Sequence, residues 1–269
     1  MKSEFTVAQK SDRLCSAMNG NVYVADFFAG KGGVARAIRA SGFSTREWEL
    51  LHGPDYDLTQ PATIRRILGD IENRRLLSAM FAPPCSSFSV ARDRTLVIRD
   101  RTYPWGRPHL PAHEQAKIEI GNKCFRATLK IIRALDIYGI PWILENPWSS
   151  KCWRLPPIVK LMSMSHVHVR VGDFCCWGTP WRKRTTFMCG NISNDDSMRL
   201  QRLCTGERGV CGRTGVAHVH LTGSKNGTPL TQIAQPYPPK LCHDLAHVLV
   251  SHKKYNDENM LAASSKTWA

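Results

Sequence analysis

The chain has 269 residues, 42% of them hydrophobic, enough to bury a sizeable core in one large domain or two small ones. A formal net charge of +15 points to a polyanionic partner such as DNA or RNA, with a merely soluble basic protein as the competing reading. Residues 1–20 lack a secretory apolar region, and no run reaches the roughly 18 apolar residues of a membrane helix. An intracellular protein without membrane contact is therefore expected, nuclear in a eukaryotic or viral setting and otherwise cytoplasmic.

In chain order, the polar residues 1–20 are expected to be disordered, as is the tail 253–269. Asn21 to Phe28 reads as a first strand, Gly30-Lys31-Gly32-Gly33 as a tight turn, and Val34 to Ser41 as a helix stopped by Gly42. Ser44 to Leu51 reads as a second strand and Tyr56 to Thr59 as a short third, after which Pro61 opens a helix. Leu76 to Ala82 is an apolar run of strand length. Residues 90–111, charged and proline-bearing, are expected to form a mobile loop, and His113 to Tyr138 a long amphipathic helix. Pro141 to Glu145 reads as a fifth strand, while Val167 to Cys176 and Thr185 to Cys189 flank a turn as a hairpin. Alternating strands and helices over 21–147 predict a parallel α/β sheet with its ligands at the carboxyl ends of the strands.

Three features fall at those strand ends. The first is Gly30-x-Gly32-x-x-Ala35, a loose dinucleotide fingerprint with Glu47 or Glu49 near the expected acidic position. Glycines admit a ligand close to the backbone, so a nicotinamide, a flavin or S-adenosylmethionine would all fit. The second is Ala82-Pro83-Pro84-Cys85, in which two prolines end a strand and stiffen the chain before a thiol. Cys85 is either a held nucleophile or a buried inert thiol. The third is Glu145-Asn146-Pro147, whose carboxylate either joins the site or caps a surface turn. An oxidoreductase reading of the glycine turn leaves Cys85 and Glu145 without a role.

Together these segments resemble the cytosine carbon-5 DNA methyltransferases. Asp26-Phe27-Phe28-Ala29-Gly30-Lys31-Gly32-Gly33 is similar to the family's first motif, and Pro83-Pro84-Cys85-Ser86-Ser87-Phe88-Ser89 to its catalytic Pro-Pro-Cys motif. Glu145-Asn146-Pro147 resembles its Glu-Asn-Val motif, and Trp177 to Arg184 its Tyr-Gly-Val-Pro-Gln-Arg-Arg segment. Ala234 to Leu249 resembles the closing motif that returns to the cofactor site. The resemblance implies a Rossmann-like α/β methyltransferase fold, a seven-stranded sheet with helices on both faces and a small irregular insert. It divides the chain into a catalytic core over 21–190, an insert at 191–230 in the target-recognition position and a closing segment over 231–252.

It implies, further, that Cys85 adds to carbon 6 of a flipped-out cytosine in duplex DNA while Glu145 holds the ring, with Arg182 or Arg184 contacting cytosine or phosphate. S-adenosylmethionine would lie against Asp26, Phe28, Gly30, Gly32, Gly33 and Pro83, with Glu49 on the ribose, Trp48 beside the adenine and Asp57 on its amine. Arg92, Arg94, Arg99 and Arg101 of the loop after the nucleophile, with Trp181 and Lys183, would meet nucleic acid. Trp148 and the aromatic-basic runs at 103–107 and 151–154 are either base-stacking groups or packing anchors.

The chain departs from the family in two places. Trp181 stands where the family has glutamine, and the family's final arginine falls on Thr185. The target-recognition region is short, as in divergent methyltransferase-like proteins of viruses and mobile elements, so sequence selectivity is either low or supplied by a partner protein. A catalytically silent nucleic-acid-binding relative is the alternative, and an RNA cytosine methyltransferase is less favoured by the Pro-Pro-Cys context. The ten cysteines are scattered, which suits thiols or metal ligands better than a disulfide frame. Cys175-Cys176 is expected in a strand beside the hairpin. Cys204, Cys211, His218 and His220 are candidate zinc ligands, His218 and His220 sharing one side of a strand, or else unliganded side chains.

Overall fold

The computed structural model describes residues 22–251; both tails expected to be disordered lie outside the described residues. Six strands form one sheet: β1 (Tyr23–Phe27), β2 (Thr45–Trp48), β3 (Leu76–Phe81), β4 (Trp142–Pro147), β5 (Val167–Asp173) and β6 (Arg184–Gly190), in the order β2-β1-β3-β4-β6-β5. The first four pair in parallel, and β6 runs antiparallel to both neighbours. This is the expected Rossmann-like α/β class with six strands in place of seven. The missing strand is Tyr56 to Thr59: Pro54–Tyr56 is a turn of 3-10 helix, and the Asp57 carboxylate accepts the Thr59 N–H at 2.8 Å. That local bond offers the backbone an alternative to a sheet ladder.

Strand alternation sorts the core into two layers. Ala25 and Phe27 of β1, Ala79 and Phe81 of β3, and Trp142 and Leu144 of β4 face one layer. It is covered by α2 (Pro61–Glu72), α3 (Ala112–Ile137) and α4 (Pro156–Met162). Val24, Met80, Ile143, Phe187 and Cys189 face the other, covered by α1 (Gly33–Ala40) and α5 (239–251). A sheet buried on both sides reads as near-continuous apolar runs, as in LLSAMF of β3. The chain leaves β1 for β2 on one side and reaches β3 on the other, so the crevice past β1 and β3 is the topological switch point.

The segment 90–111 is anchored where mobility was expected. Arg99 is fully buried, and its guanidinium donates to the Ser87 carbonyl, the Ser87 hydroxyl, Pro104 O, Asn122 Oδ1 and Ile118 O. Burial lowers its pKa to about 10. Lys151, also buried, donates to Asp93 and to Arg99 O. A guanidinium carries five donors, so one inward arginine can organise an irregular loop that lacks its own ladder.

Candidate active site

The glycine turn leaves β1 with Phe28, Gly30 and Gly32 all at positive φ, 60°, 56° and 62°. Phe28 is the costly one, because side chains with a Cβ rarely adopt this region and such strain collects at functional turns. A Cβ at Gly32 would crowd Glu47 Oε2, and one at Gly33 would stand 2.9 Å from Cys242 Sγ of α5. Glycine suits Gly32 by its positive φ, and at both positions β2 and the closing helix pack closely on the turn. Glu49, just past β2, accepts the Gly30 N–H at 2.8 Å, so the acidic group and the turn face each other. Asp26 is 2% exposed and accepts the Ala35 N–H at 3.2 Å in the first turn of α1. Burial pushes its carboxyl up to about 7, against the pull of that N–H.

Asp57 sits half-buried, held below the usual carboxylate range by bonds from Thr59 and Gln60 that outweigh its burial. Trp48, expected beside an adenine, is 1% exposed; it stacks on Phe27 and meets Tyr56 at a tilt, with ring centroids at 6.0 and 5.8 Å. It has no face left for a ligand. The next apolar residues, Leu50 and Leu51, are 59% and 87% exposed.

Cys85 and Glu145 do come together. β3 and β4 are parallel neighbours; Cys85 follows β3, and Glu145 lies in the last half of β4, which runs on to Pro147 rather than ending at Glu145, and its charge acts on the Cys85 thiol. Asn146 Nδ2 donates to Pro83 O at 2.9 Å, which ties the proline loop to β4. Asn146 Oδ1 is buried without a partner. Cys85 is half-buried, and burial raises its thiol pKa; the charge of Glu145 raises it further and Lys183 pulls it down. Buried Cys152 is raised by burial and by both Glu145 and Cys85, and so lies beneath the pair as an inert thiol.

Two residues missed from sequence complete the carboxylate's surroundings. Thr185 donates its hydroxyl to Glu145 Oε1, and Tyr237 donates to Oε2 at 2.6 Å. Burial, and then the charge of Glu145, raises the Tyr237 phenol well above its ordinary value. Tyr237 arrives from the proline-rich turn before α5, 92 positions away, so no local pattern marks it.

Arg182 and Arg184 do not reach the site as expected. Arg184 is opposite Asp173 in the β5–β6 register and holds it through Nε and Nη2, both at 2.9 Å, while Arg182 Nε adds a third bond at 3.0 Å. Asp173 is fully buried and needs these cations. Side chains alternate along an extended chain, so the faces given to Arg182 and Arg184 leave Lys183 and Thr185 for the catalytic side. Lys183 lies over the Phe174 ring at 4.7 Å and acts on Cys85 electrostatically. Trp181 is half-buried against the second core layer with its indole N–H unpartnered, a packing anchor rather than a stacking surface. Arg92 is paired with Glu114, whereas Arg94 and Arg101 are exposed. Trp148, immediately after Glu145-Asn146-Pro147, is 56% exposed with Arg184 5.9 Å from its ring.

Of the candidate metal ligands, Cys204, Cys211 and His218 converge, and Cys175 replaces His220 as the fourth. Residues 218–220 belong to no strand, and His220 is exposed and outside the cluster that His218 joins. Cys175-Cys176 lies in the 3-10 turn Phe174–Trp177, not in a strand.

No family model and no curated protein matches the chain. Among solved structures it is similar to the S. pombe Dnmt2 methyltransferase, with TM-score 0.39 and 13% identity over 69% of this chain and 57% of that one. It is also similar to the Entamoeba histolytica methyltransferase EhMeth, with TM-score 0.39 and 11% identity over 89% of this chain and 99% of that one. The matched part spans little more than half the length of the S. pombe protein.

Proposed function

We propose that the chain is an S-adenosylmethionine-dependent methyltransferase that methylates carbon 5 of cytosine in DNA through a covalent bond to Cys85. The observation that carries this reading is the pairing of a half-buried thiol with a buried carboxylate, tied together by the Asn146–Pro83 bond, on the sheet edge that also holds the Gly30–Glu49 turn. The turn fits the cofactor: a Cβ at Gly30 would meet nothing within 4 Å, Glu49 offers acceptors for ribose hydroxyls, and Leu50 and Leu51 offer an apolar rim. When bound, the cofactor supplies an electrophilic methyl group.

The chain's own residues do the rest. Cys85 forms a bond to carbon 6 as its thiolate, which makes carbon 5 nucleophilic. Glu145 holds the ring at N3 and at the exocyclic amine, stabilising charge as it develops. Carbon 5 gains a methyl group and loses its proton to a base, and Cys85 leaves as the ring double bond returns. The resting thiol is held up by its burial and by the charge of Glu145. Flipping the cytosine out of a duplex costs a few kcal/mol. The +15 charge, the exposed Arg94 and Arg101 and the exposed Trp148 support a nucleic-acid substrate.

The silent-relative reading has one observation in its favour: both oxygens of Glu145 are already engaged, by Thr185 and Tyr237. Transfer of labelled methyl to duplex DNA, single-stranded DNA and RNA in parallel tests substrate and activity together. DNA carrying 5-fluorocytosine should trap a covalent adduct with the native protein and none with Cys85→Ser. An adduct on another cysteine, or turnover by Cys85→Ser, overturns the mechanism. Bound cofactor and DNA without adduct or methyl transfer selects the silent relative.

A further inference from the structure

Away from the catalytic edge, Cys175, Cys204, Cys211 and His218 place their ligand atoms all within 4.8 Å of one another. Cys204 Sγ stands 3.9 Å from Cys211 Sγ and 3.7 Å from His218 Nε2. A zinc ion with bonds of about 2.3 Å to sulfur and about 2.0–2.1 Å to nitrogen, in a tetrahedron, needs edges of about 3.8 Å and about 3.5 Å. A disulfide would need about 2.05 Å and would leave the third sulfur and the imidazole unused.

The surroundings favour ligation. His218 Nδ1 lies 2.9 Å from Gly209 O. An N–H there fixes the tautomer and turns the Nε2 lone pair toward Cys204, the usual second contact of a metal-bound histidine. The loop closes on itself through Cys211 N to Val216 O, Gly215 N to Cys211 O and His218 N to Gly209 O, each at 2.8 Å. Yet residues 201–221 have no apolar core of their own. Leu203, Val210, Val216 and Val219 are exposed, and the buried cluster is only Cys175, Cys204 and Cys211, with half-buried Cys176 beside it. A segment this short, without a core, is the kind that ligation folds.

We propose that Cys175, Cys204, Cys211 and His218 bind one zinc ion in a closed structural site that fastens residues 201–221 to the turn between β5 and β6. Four protein ligands leave no open position, so the metal is not catalytic. Three thiolates and an imidazole around a divalent ion leave a net negative charge. Arg213, which donates to Cys175 O at 3.1 Å, and Arg182, which donates to Cys204 O at 3.3 Å, lie against it. The fastening reaches the end of β5 and the turn before β6, because Cys204 N–H donates to Asp173 at 2.9 Å and Val219 N–H to Pro180 O at 2.9 Å. The site stands apart from the proposed activity and holds for an active or a silent protein alike.

Elemental analysis of the full-length, reduced protein should find about one zinc per chain. Exchange for cobalt should give the visible absorption of a tetrahedral, thiolate-rich centre, a readout that needs no variant to fold. Cys211→Ser and His218→Ala should lose the metal, Cys176→Ser and His220→Ala should keep it, and His218→Cys should keep it with an altered cobalt spectrum. Metal-free protein with all these thiols titratable, a Cys204–Cys211 disulfide in reduced preparations, or loss of zinc in His220→Ala with retention in Cys211→Ser would each overturn the assignment.

Discussion

Asp26 offers the sharpest test of the electrostatics beside the glycine turn. Its carboxyl is almost wholly buried, and its pKa rises to about 7 in the folded chain, against about 3.9 in an unfolded one. The folded state therefore binds more protons than the unfolded state between those values, and stability falls as pH rises through the interval. The slope is about 1.4 kcal/mol per pH unit while the two states differ by a full proton. Between pH 5 and pH 8 the loss comes to on the order of 2.5 kcal/mol, most of it below pH 7. For a domain of this size that is roughly 5–10 °C in Tm. Asp26→Asn keeps an oxygen to accept the Ala35 N–H and removes the titration. Urea denaturation of native and Asp26→Asn protein at each half pH unit should show the variant gaining on the native protein as pH rises, then a constant difference above about pH 8. Parallel curves from pH 5 to pH 8 would mean that Asp26 is ionised throughout, and the burial argument would fail.

Tyr237→Phe removes a buried hydrogen bond to a carboxylate, a class worth about 1.5–3 kcal/mol, and urea denaturation should show a loss in that range. Lys183→Met removes the charge that draws the Cys85 thiol down, so alkylation of Cys85 followed by peptide mapping should slow at mildly alkaline pH; unchanged alkylation would place Lys183 outside the site. Asp173→Ala leaves two arginines without their buried acceptor. Breaking such a pair costs about 3–5 kcal/mol when fully buried, and with both arginine side chains about one third exposed a loss of about 2–3 kcal/mol is expected.

What was legible in the sequence was whatever local pattern determines. β3 and β4 are apolar runs closed by proline or a polar turn, and their ends carry Cys85 and Glu145, so the edge that unites them could be read directly. The third strand failed because Asp57 and Pro54 satisfy that backbone locally. Arg99 looked solvent-facing because charge alone does not reveal a pocket of carbonyls assembled from Ser87, Pro104 and Ile118. Trp48 was placed correctly along the chain and wrongly in depth. Tyr237 and Cys175 contribute through contacts at long sequence separation, which no window in the sequence contains.

The segment 182–185 shows how one missed period changes a mechanism. Read as a run of cations, Arg182-Lys183-Arg184 offers three equivalent contacts for phosphate or base. Read as extended chain, it splits: Lys183 and Thr185 turn to Cys85 and Glu145, while Arg182 and Arg184 turn to Asp173. Asp173 in turn accepts the Cys204 N–H, so the same carboxylate that neutralises the arginines holds the insert. The shortened insert is consequently a brace on the strand that delivers Lys183 and Thr185. Specific protein–DNA interfaces bury on the order of 1,000 Å² or more of protein surface, and residues 201–221 spend their buried groups on the brace. For the DNA substrate proposed above, sequence selectivity would then come from surfaces elsewhere on this basic chain or from a partner, while Glu145 is steadied by the neutral hydroxyls of Thr185 and Tyr237 rather than by a cation.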